Sequence, residues 1–282
     1  MDIKEKVYNI LKEILGEDAT GIYCYDSCIE EDCESGFYSS IEMENGKATG
    51  FNFEIEDTYD IEVRHGASRL VLIPEDEDFI IKLPITTTYE KKWVLKRITE
   101  NEKEEYTTCW SSEYDYYDIQ QDYLADGWKI ESEEMAIIKR LKEDCDLMDE
   151  ENVLYEDANP ALKKILLPNN FIGKWNNCIP VYVQKKIKSS LCDSERKTFS
   201  AQTKKYFDLI DAGLKMECSK DFIMACIDAY GFSDTTEICE GIIDLGLTDL
   251  HGGNIGFLPN DNPCIFDYAG YDEDLIWDYI CY

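Results

Sequence analysis

The stretch Leu247-Thr248-Asp249-Leu250-His251-Gly252-Gly253-Asn254-Ile255-Gly256-Phe257, followed by Pro263-Cys264-Ile265-Phe266-Asp267-Tyr268-Ala269-Gly270, decides the reading. Asn254 stands five residues after Asp249, and Asp267 thirteen after Asn254. Asp249 offers a carboxylate able to orient a hydroxyl. The Asn254 amide oxygen and the Asp267 carboxylate suit a hard cation such as Mg²⁺, which takes oxygen ligands and keeps places for water and phosphate. Gly252 and Gly253 permit a tight loop, so that Asp249 and Asn254 can converge. Asp and Asn alone also fit a plain turn. The second Asp, behind the apolar pair Ile265-Phe266, tips the balance toward chemistry.

With these residues in view, the chain resembles the protein-kinase-like superfamily, in particular the branch of aminoglycoside phosphotransferases and choline kinases. It also resembles small kinase-like proteins of phage type. The catalytic loop of that branch runs roughly HGDLHxxN, and TDLHGGN and FDYAG follow it in order and spacing. Leu247 and Thr248 replace its first His and Gly, and Ala269 the Gly of the metal turn. The resemblance implies ATP and Mg²⁺ as cofactors, Asp249 as catalytic base, and Asn254 and Asp267 as metal ligands. His251 reads as a loop residue, since Asp249 already fills the place of the base.

The same resemblance asks for parts upstream. Phe79-Ile80-Ile81-Lys82-Leu83-Pro84 is an apolar strand with one Lys, expected on the α- and β-phosphates. A lone strand Lys also snorkels at many edges. A phosphate-covering loop is expected one strand earlier, where His65-Gly66-Ala67-Ser68 offers Gly66, the Ser68 hydroxyl and backbone N–H groups. It lacks the full Gly-rich pattern and fits a plain hairpin turn equally. A helix over about 131–145 is expected to supply the carboxylate for Lys82, with Glu134 preferred over Glu131 and Glu133. Ile179-Pro-Val-Tyr-Val183-Gln184 stands where a hinge would hold the adenine, with Val183 at its centre.

Outside these motifs the pattern is α+β, read as a kinase-like bilobal fold. Residues 2–15 read as an amphipathic helix with Asp2 and Glu5 at capping-box spacing and Gly16 as its stop. Short β-branched and aromatic runs over 20–83 read as an antiparallel sheet. Residues 99–130 read as an acidic, aromatic insertion pinned by its Tyr and Trp, and 198–246 as helices. The division expected is an N-lobe over 1–184 and a C-lobe over 185–282 carrying the loops of 247–270, without the usual helices after the metal turn. A standard peptide-docking platform is therefore not expected.

Composition bounds the partners. Sixty acidic residues against 28 basic give a net charge of −32. That disfavours direct nucleic-acid binding, which needs cations to displace phosphate counterions, and disfavours an anionic membrane surface. No apolar run approaches the ~18 residues of a membrane span. The start Met1-Asp2-Ile3-Lys4-Glu5 lacks signal-peptide features, and the twelve scattered Cys read as reduced thiols of a cytoplasmic protein. Cys24, Cys28 and Cys33 alone resemble a metal cluster, and without a CxxC pair they read as thiols. The acceptor is expected to be a hydroxyl on a cationic small molecule or a basic protein. Two other classes compete: a nucleotide-binding interaction protein without transfer, and an acidic decoy that mimics nucleic acid.

Overall fold

The computed structural model describes residues 2–26, 36–66, 68–99, 101–111, 119–140, 147–190, 226–232, 236–247 and 254–268. The fold is mixed α+β, with most of its regular structure in strands.

Helix α1 (Ile3–Leu15) buries Val7, Leu11, Ile14 and Leu15 on one stripe and ends at Gly16 with φ 78°. Asp2 makes no side-chain cap bond, and Ile3 is exposed. The stripe packs on a five-stranded antiparallel sheet in the order β10-β11-β6-β5-β4. Its strands are β4 (Ile61–His65), β5 (Arg69–Pro74), β6 (Phe79–Pro84), β10 (Asn170–Trp175) and β11 (Ile179–Lys185).

Strand periodicity sorts these side chains. Leu70, Leu72, Phe79, Ile81, Leu83, Ile179, Val181 and Val183 face α1 in one apolar core. Val71, Ile73, Ile80 and Lys82 face the other way and line a cavity. In β10, Gly173 sits at φ 135° beside a register shift, and a Cβ there would lie 2.8 Å from the Tyr8 hydroxyl of α1. Only glycine serves at that crossing.

The second sheet has six strands: β1 (Tyr23–Asp26), β2 (Gly36–Glu44), β3 (Lys47–Glu54), β7 (Thr87–Ile98), β8 (Glu104–Trp110) and β9 (Lys129–Arg140). The order is β3-β2-β1-β7-β8, with β9 also paired to β7. Asn45 and Gly46, both at positive φ, make the tight β2–β3 turn. Tyr23–Asp26 pair in parallel with Thr87–Glu90, so the antiparallel expectation for 20–83 is corrected at β1. The expected single sheet is also two, because β7 leaves the first sheet and gathers the second around itself.

Two further expectations are corrected here. The helix expected over about 131–145 does not start there: Lys129–Arg140 is β9, registered along β7 from Thr87 to Lys96, and 141–145 lie outside the described residues. Glu, Met and Ala favour a helix locally, and the ladder overrides that preference. The insertion 99–130 contributes β8 and a π-helical turn (Gln120–Leu124) rather than a plain loop. Its aromatics do pin it: Trp128 and Tyr123 pack on Trp93, Leu95 and Cys109, and Arg97 stacks 4.6 Å over the Trp128 ring. Residues 112–118 lie outside the described residues.

A second core lies at the carboxyl-terminal side. Helix α2 (Leu147–Asp157) leads into Ala158, Ala161, Leu162, Ile165 and Leu166. These pack with Cys226, with Ile238 and Ile242 of α3 (Thr236–Asp244), and with Leu247, Ile255, Ile265 and Tyr268. Residues 158–166 thus join the carboxyl-terminal core, although they precede the expected boundary at 184. A three-stranded sheet, β12 (Ser189–Ser190), β13 (Ile255–Phe257) and β14 (Pro263–Ile265), closes the fold. Of the helices expected over 198–246, residues 226–230 and α3 are helical, and 201–225 lie outside the described residues. No described helix is long and apolar enough to cross a membrane.

Leu11→Ala should lower unfolding free energy by about 2–5 kcal/mol in denaturant titration, since Leu11 is fully buried. Ile3→Ala should cost about 0.5 kcal/mol or less. Burial pushes the Cys264 thiol up to about 12. At pH near 8 iodoacetamide should therefore label exposed Cys178 and spare Cys264 until the chain unfolds.

Candidate functional site

The cavity behind the five-stranded sheet has a volume of about 570 Å³. Gly66, Lys82, Asn254 and Asp267 all line it. Four residues singled out from separate parts of the sequence therefore meet on one space.

Lys82 reaches it because β6 alternates: Ile81 and Leu83 go to the α1 core, and Ile80 and Lys82 to the cavity. Gly66 lies in the β4–β5 turn, closed by its N–H donating to the Arg69 carbonyl at 2.9 Å. A Cβ on Gly66 would meet nothing within 4 Å, so the turn is open to the cavity. The Ser68 carbonyl accepts the Ile85 N–H at 2.9 Å, and Ser68 does not line the cavity. Asn254 opens β13, and its carbonyl accepts the N–H groups of Phe266 at 3.0 Å and Asp267 at 3.4 Å. That backbone stitch fixes the two oxygen-bearing side chains side by side.

Beneath this wall lies a charged cluster. The Lys82 ammonium donates to the Phe266 carbonyl at 2.7 Å and stands 3.9 Å from Glu151 Oε2. Arg69 Nη1 donates to Glu151 Oε1 at 2.8 Å and to Asp267 Oδ1 at 2.5 Å. Glu151 further accepts from the Asn169 side-chain amide and from the Tyr268 N–H at 3.2 Å. The Gln184 amide donates to the carbonyls of Leu167 and Phe266, tying β11 to the same turn. Lys82, Arg69 and Glu151 are buried, and one third of the Asp267 side chain remains exposed.

Burial pushes Glu151 above the usual carboxylate range, against the pull of Lys82 and Arg69. Burial also pushes Asp267 up, but Arg69 and Lys82 outweigh it and hold that carboxyl below its ordinary value. Burial lowers Lys82, with Glu151 opposing. For Arg69, burial is outweighed by Glu151 and Asp267, which raise it.

Beyond Ser68, which is expected at the phosphates and lies off the cavity, the structure corrects two site expectations. Glu134 is not the partner of Lys82. It lies on β9 and accepts from Lys47 at 2.7 Å and Lys92 at 3.3 Å. Glu151 of α2 takes the place beside Lys82, because the carboxylate-bearing helix begins at Leu147. Val183 does not meet the cavity. Its side chain lies in the α1 core, and its backbone is paired with Ile81 on one side and Asn170 on the other. Its neighbour Gln184 lies on the sheet face that carries Lys82, fully buried and bonded to the Phe266 carbonyl. Asp249 and His251 lie outside the described residues, as do Cys28 and Cys33.

Glu151, Arg69, Asn169 and Gln184 are functional candidates that sequence reasoning missed. Arg69 carried a signal: it is a charged residue opening an apolar strand, Arg69-Leu-Val-Leu-Ile-Pro74. Glu151 had none, standing inside the acidic run Asp149-Glu150-Glu151.

The donor chemistry fits Mg²⁺: a carboxylate with an exposed part and an amide on one cavity wall, oxygen donors of the type that ion selects. Among the described residues no group of three or more His, Cys, Asp or Glu gathers as a metal site. The cavity lining carries four cations, Arg64, Lys82, Lys186 and Lys188, against the carboxylates of Glu62 and Asp267. Three of the four are paired, Arg64 with Glu62, Lys82 with Glu151 and Lys188 with Asp261, so in a chain of net charge −32 the lining is a local concentration of cations rather than a net positive surface.

No protein-family model matches the chain, no curated protein is significantly similar to it, and no solved structure matches it.

Glu151→Gln should destabilise the fold by about 3–5 kcal/mol in denaturant titration, because it leaves buried cations uncompensated. Glu134→Gln should cost about 1 kcal/mol or less, since Lys47 is largely exposed and Lys92 partly so. Equal losses in the two variants would contradict this assignment of Glu151.

Proposed function

We propose that the protein is a Mg²⁺-dependent ATP phosphotransferase of protein-kinase-like architecture, moving the γ-phosphoryl group to a hydroxyl acceptor. The observation that carries this reading is the convergence of Gly66, Lys82, Asn254 and Asp267 on one cavity. The cavity volume, about 570 Å³, lies in the range of small-molecule sites. The arrangement of parts adds support. The turn with Gly66 joins the first two strands of the five-stranded sheet, the Lys stands on the next strand, and a helix Glu stands beside it. Kinases build their phosphate cover, lysine and helix glutamate in that relation.

On this reading Lys82 binds the α- and β-phosphates, and Glu151 keeps its ammonium in place. The turn at Gly66 lets the backbone approach the phosphates. Val71, Ile73, Ile80 and Phe266 give the base an apolar, water-poor wall. Asn254 and Asp267 would hold Mg²⁺, which would supply neutralisation of charge on the transferring phosphates. Asp249 orients the acceptor hydroxyl and takes its proton as the new P–O bond forms and the bond to the β-phosphate oxygen breaks. Positioning and charge neutralisation do most of the work in such transfers.

The acidic surface favours a cationic acceptor, a small molecule or a basic protein patch, and no nucleic acid or membrane. Dependence on ATP and unpaired thiols at Cys178 and Cys264 suit a reducing cytoplasm. A second reading has one observation behind it: Arg69 already occupies Asp267, as in a protein that binds nucleotide without transfer.

The test is a thermal melt with ATP and Mg²⁺, run beside an assay of γ-phosphoryl transfer or release. The wild-type protein should melt several degrees higher with ATP and Mg²⁺. Lys82→Met should lose that shift. Asp249→Asn should keep it and lose about 100-fold or more in turnover. Binding without turnover selects the second reading, and absence of any nucleotide-dependent shift overturns both.

A further inference from the structure

Arg69 is the group in this site that the proposed transfer chemistry does not use. Its side chain is 6% exposed, and one nitrogen bridges Glu151 Oε1 at 2.8 Å and Asp267 Oδ1 at 2.5 Å. A guanidinium stays charged at any physiological pH, and it cannot retreat to a neutral form on burial. Lys82 stands on the far side of the same Glu151. The buried cluster therefore sets two cations, Arg69 and Lys82, against two acids, Glu151 and Asp267.

This balance has a consequence for metal. A divalent cation approaching Asp267 alone meets a carboxylate already bonded to the fixed Arg69 cation, with Lys82 and Glu151 answering each other behind it. Like charges at such distances repel strongly where water is excluded. A nucleotide triphosphate changes the sum, since its phosphates bring negative charge into a cavity lined by Arg64, Lys82, Lys186 and Lys188. The ion then gains phosphate oxygens as ligands, beside the exposed part of Asp267.

We propose that Arg69 is a built-in counter-ion that makes divalent-cation binding at Asp267 conditional on nucleotide, so that metal enters with the triphosphate and not before it. The inference rests on the reading of the cavity as a nucleotide site. It deepens that reading by giving the site an order of binding.

The probe is Mn²⁺, titrated by electron paramagnetic resonance of the free ion, with calorimetry alongside. Free wild-type protein should show no saturable submillimolar site. A non-hydrolysable ATP analogue should create one, and Asp267→Asn should remove it. Arg69→Gln without nucleotide should bind Mn²⁺ at least tenfold more tightly than wild-type, and adding Asp267→Asn should abolish the gain. The proposal is overturned if the free wild-type protein holds Mn²⁺ at submillimolar concentration through Asp267, or if folded Arg69→Gln binds it no better. Circular dichroism establishes whether Arg69→Gln folds. If it does not, the wild-type and Asp267→Asn titrations decide alone. If the analogue fails to bind with or without Mn²⁺, the nucleotide reading falls, and the Arg69→Gln titration still judges the counter-ion role.

Discussion

Arg69 holds Glu151 and Asp267 in one hydrogen-bonded unit, and the site can form only if that unit forms. It joins β5, α2 and the turn after β14, which lie 82 and 198 residues away from Arg69 in sequence. Taking isolated charges out of water costs several kcal/mol each, and the cost falls only when every member finds its partner. Lys82, Asn169 and the Tyr268 N–H complete the unit around Glu151. Removing either carboxylate leaves two buried cations against one acid, at a cost in stability. The charged cluster is thus what makes two apolar cores, one under α1 and one around α2 and α3, meet in a fixed relation.

The second constraint is the two-residue period of the five-stranded sheet. It gives one face wholly to α1 and leaves the other for the cavity. Because β6 is flanked by β5 and β11, Lys82 is set into the middle of that face. The cavity is therefore walled by rigid, paired backbone on the sheet side. Its opposite wall, at Asn254 and Phe266–Asp267, is held by bonds to the Asn254 carbonyl and by Gln184 reaching across. Sites on such scaffolds hold their groups more tightly than sites on loops alone. Here the acidic chain concentrates cations.

What was legible in the sequence had local signals. The α1 stripe, the apolar strand around Lys82, the turn at Gly66 and the spacing of Asn254 and Asp267 can each be read within one short segment. What was illegible depended on distant chain. Val183 and Gln184 differ by one place, and one place in a strand exchanges core for cavity. The segment Lys129–Arg140 carries residues that favour a helix, and only its ladder with β7 makes it a strand. That error moved the search for the lysine's partner to Glu134 and hid Glu151 in an acidic run. The role of Arg69 could not be read locally, since both of its acids come from elsewhere. Asp249 was legible as a motif, and it lies outside the described residues.

The detour that separates β6 from β11 sets an order of events during synthesis. Between those partners the chain must lay down β7, β8, β9 and α2 before β11 can pair with Lys82's strand. Asp267 follows later still. A ribosome adding about 5–20 residues per second exposes Arg69 and Lys82 roughly ten seconds or more before Asp267 emerges. Until Glu151 emerges, the nascent sheet carries orphan cations on the face that will become the cavity, and until Asp267 follows they outnumber their acids. Pairings between such distant segments also fold slowly. The nascent chain is therefore unable to shape this pocket until Asp267 has left the tunnel, and a ligand of the pocket finds no complete site before then.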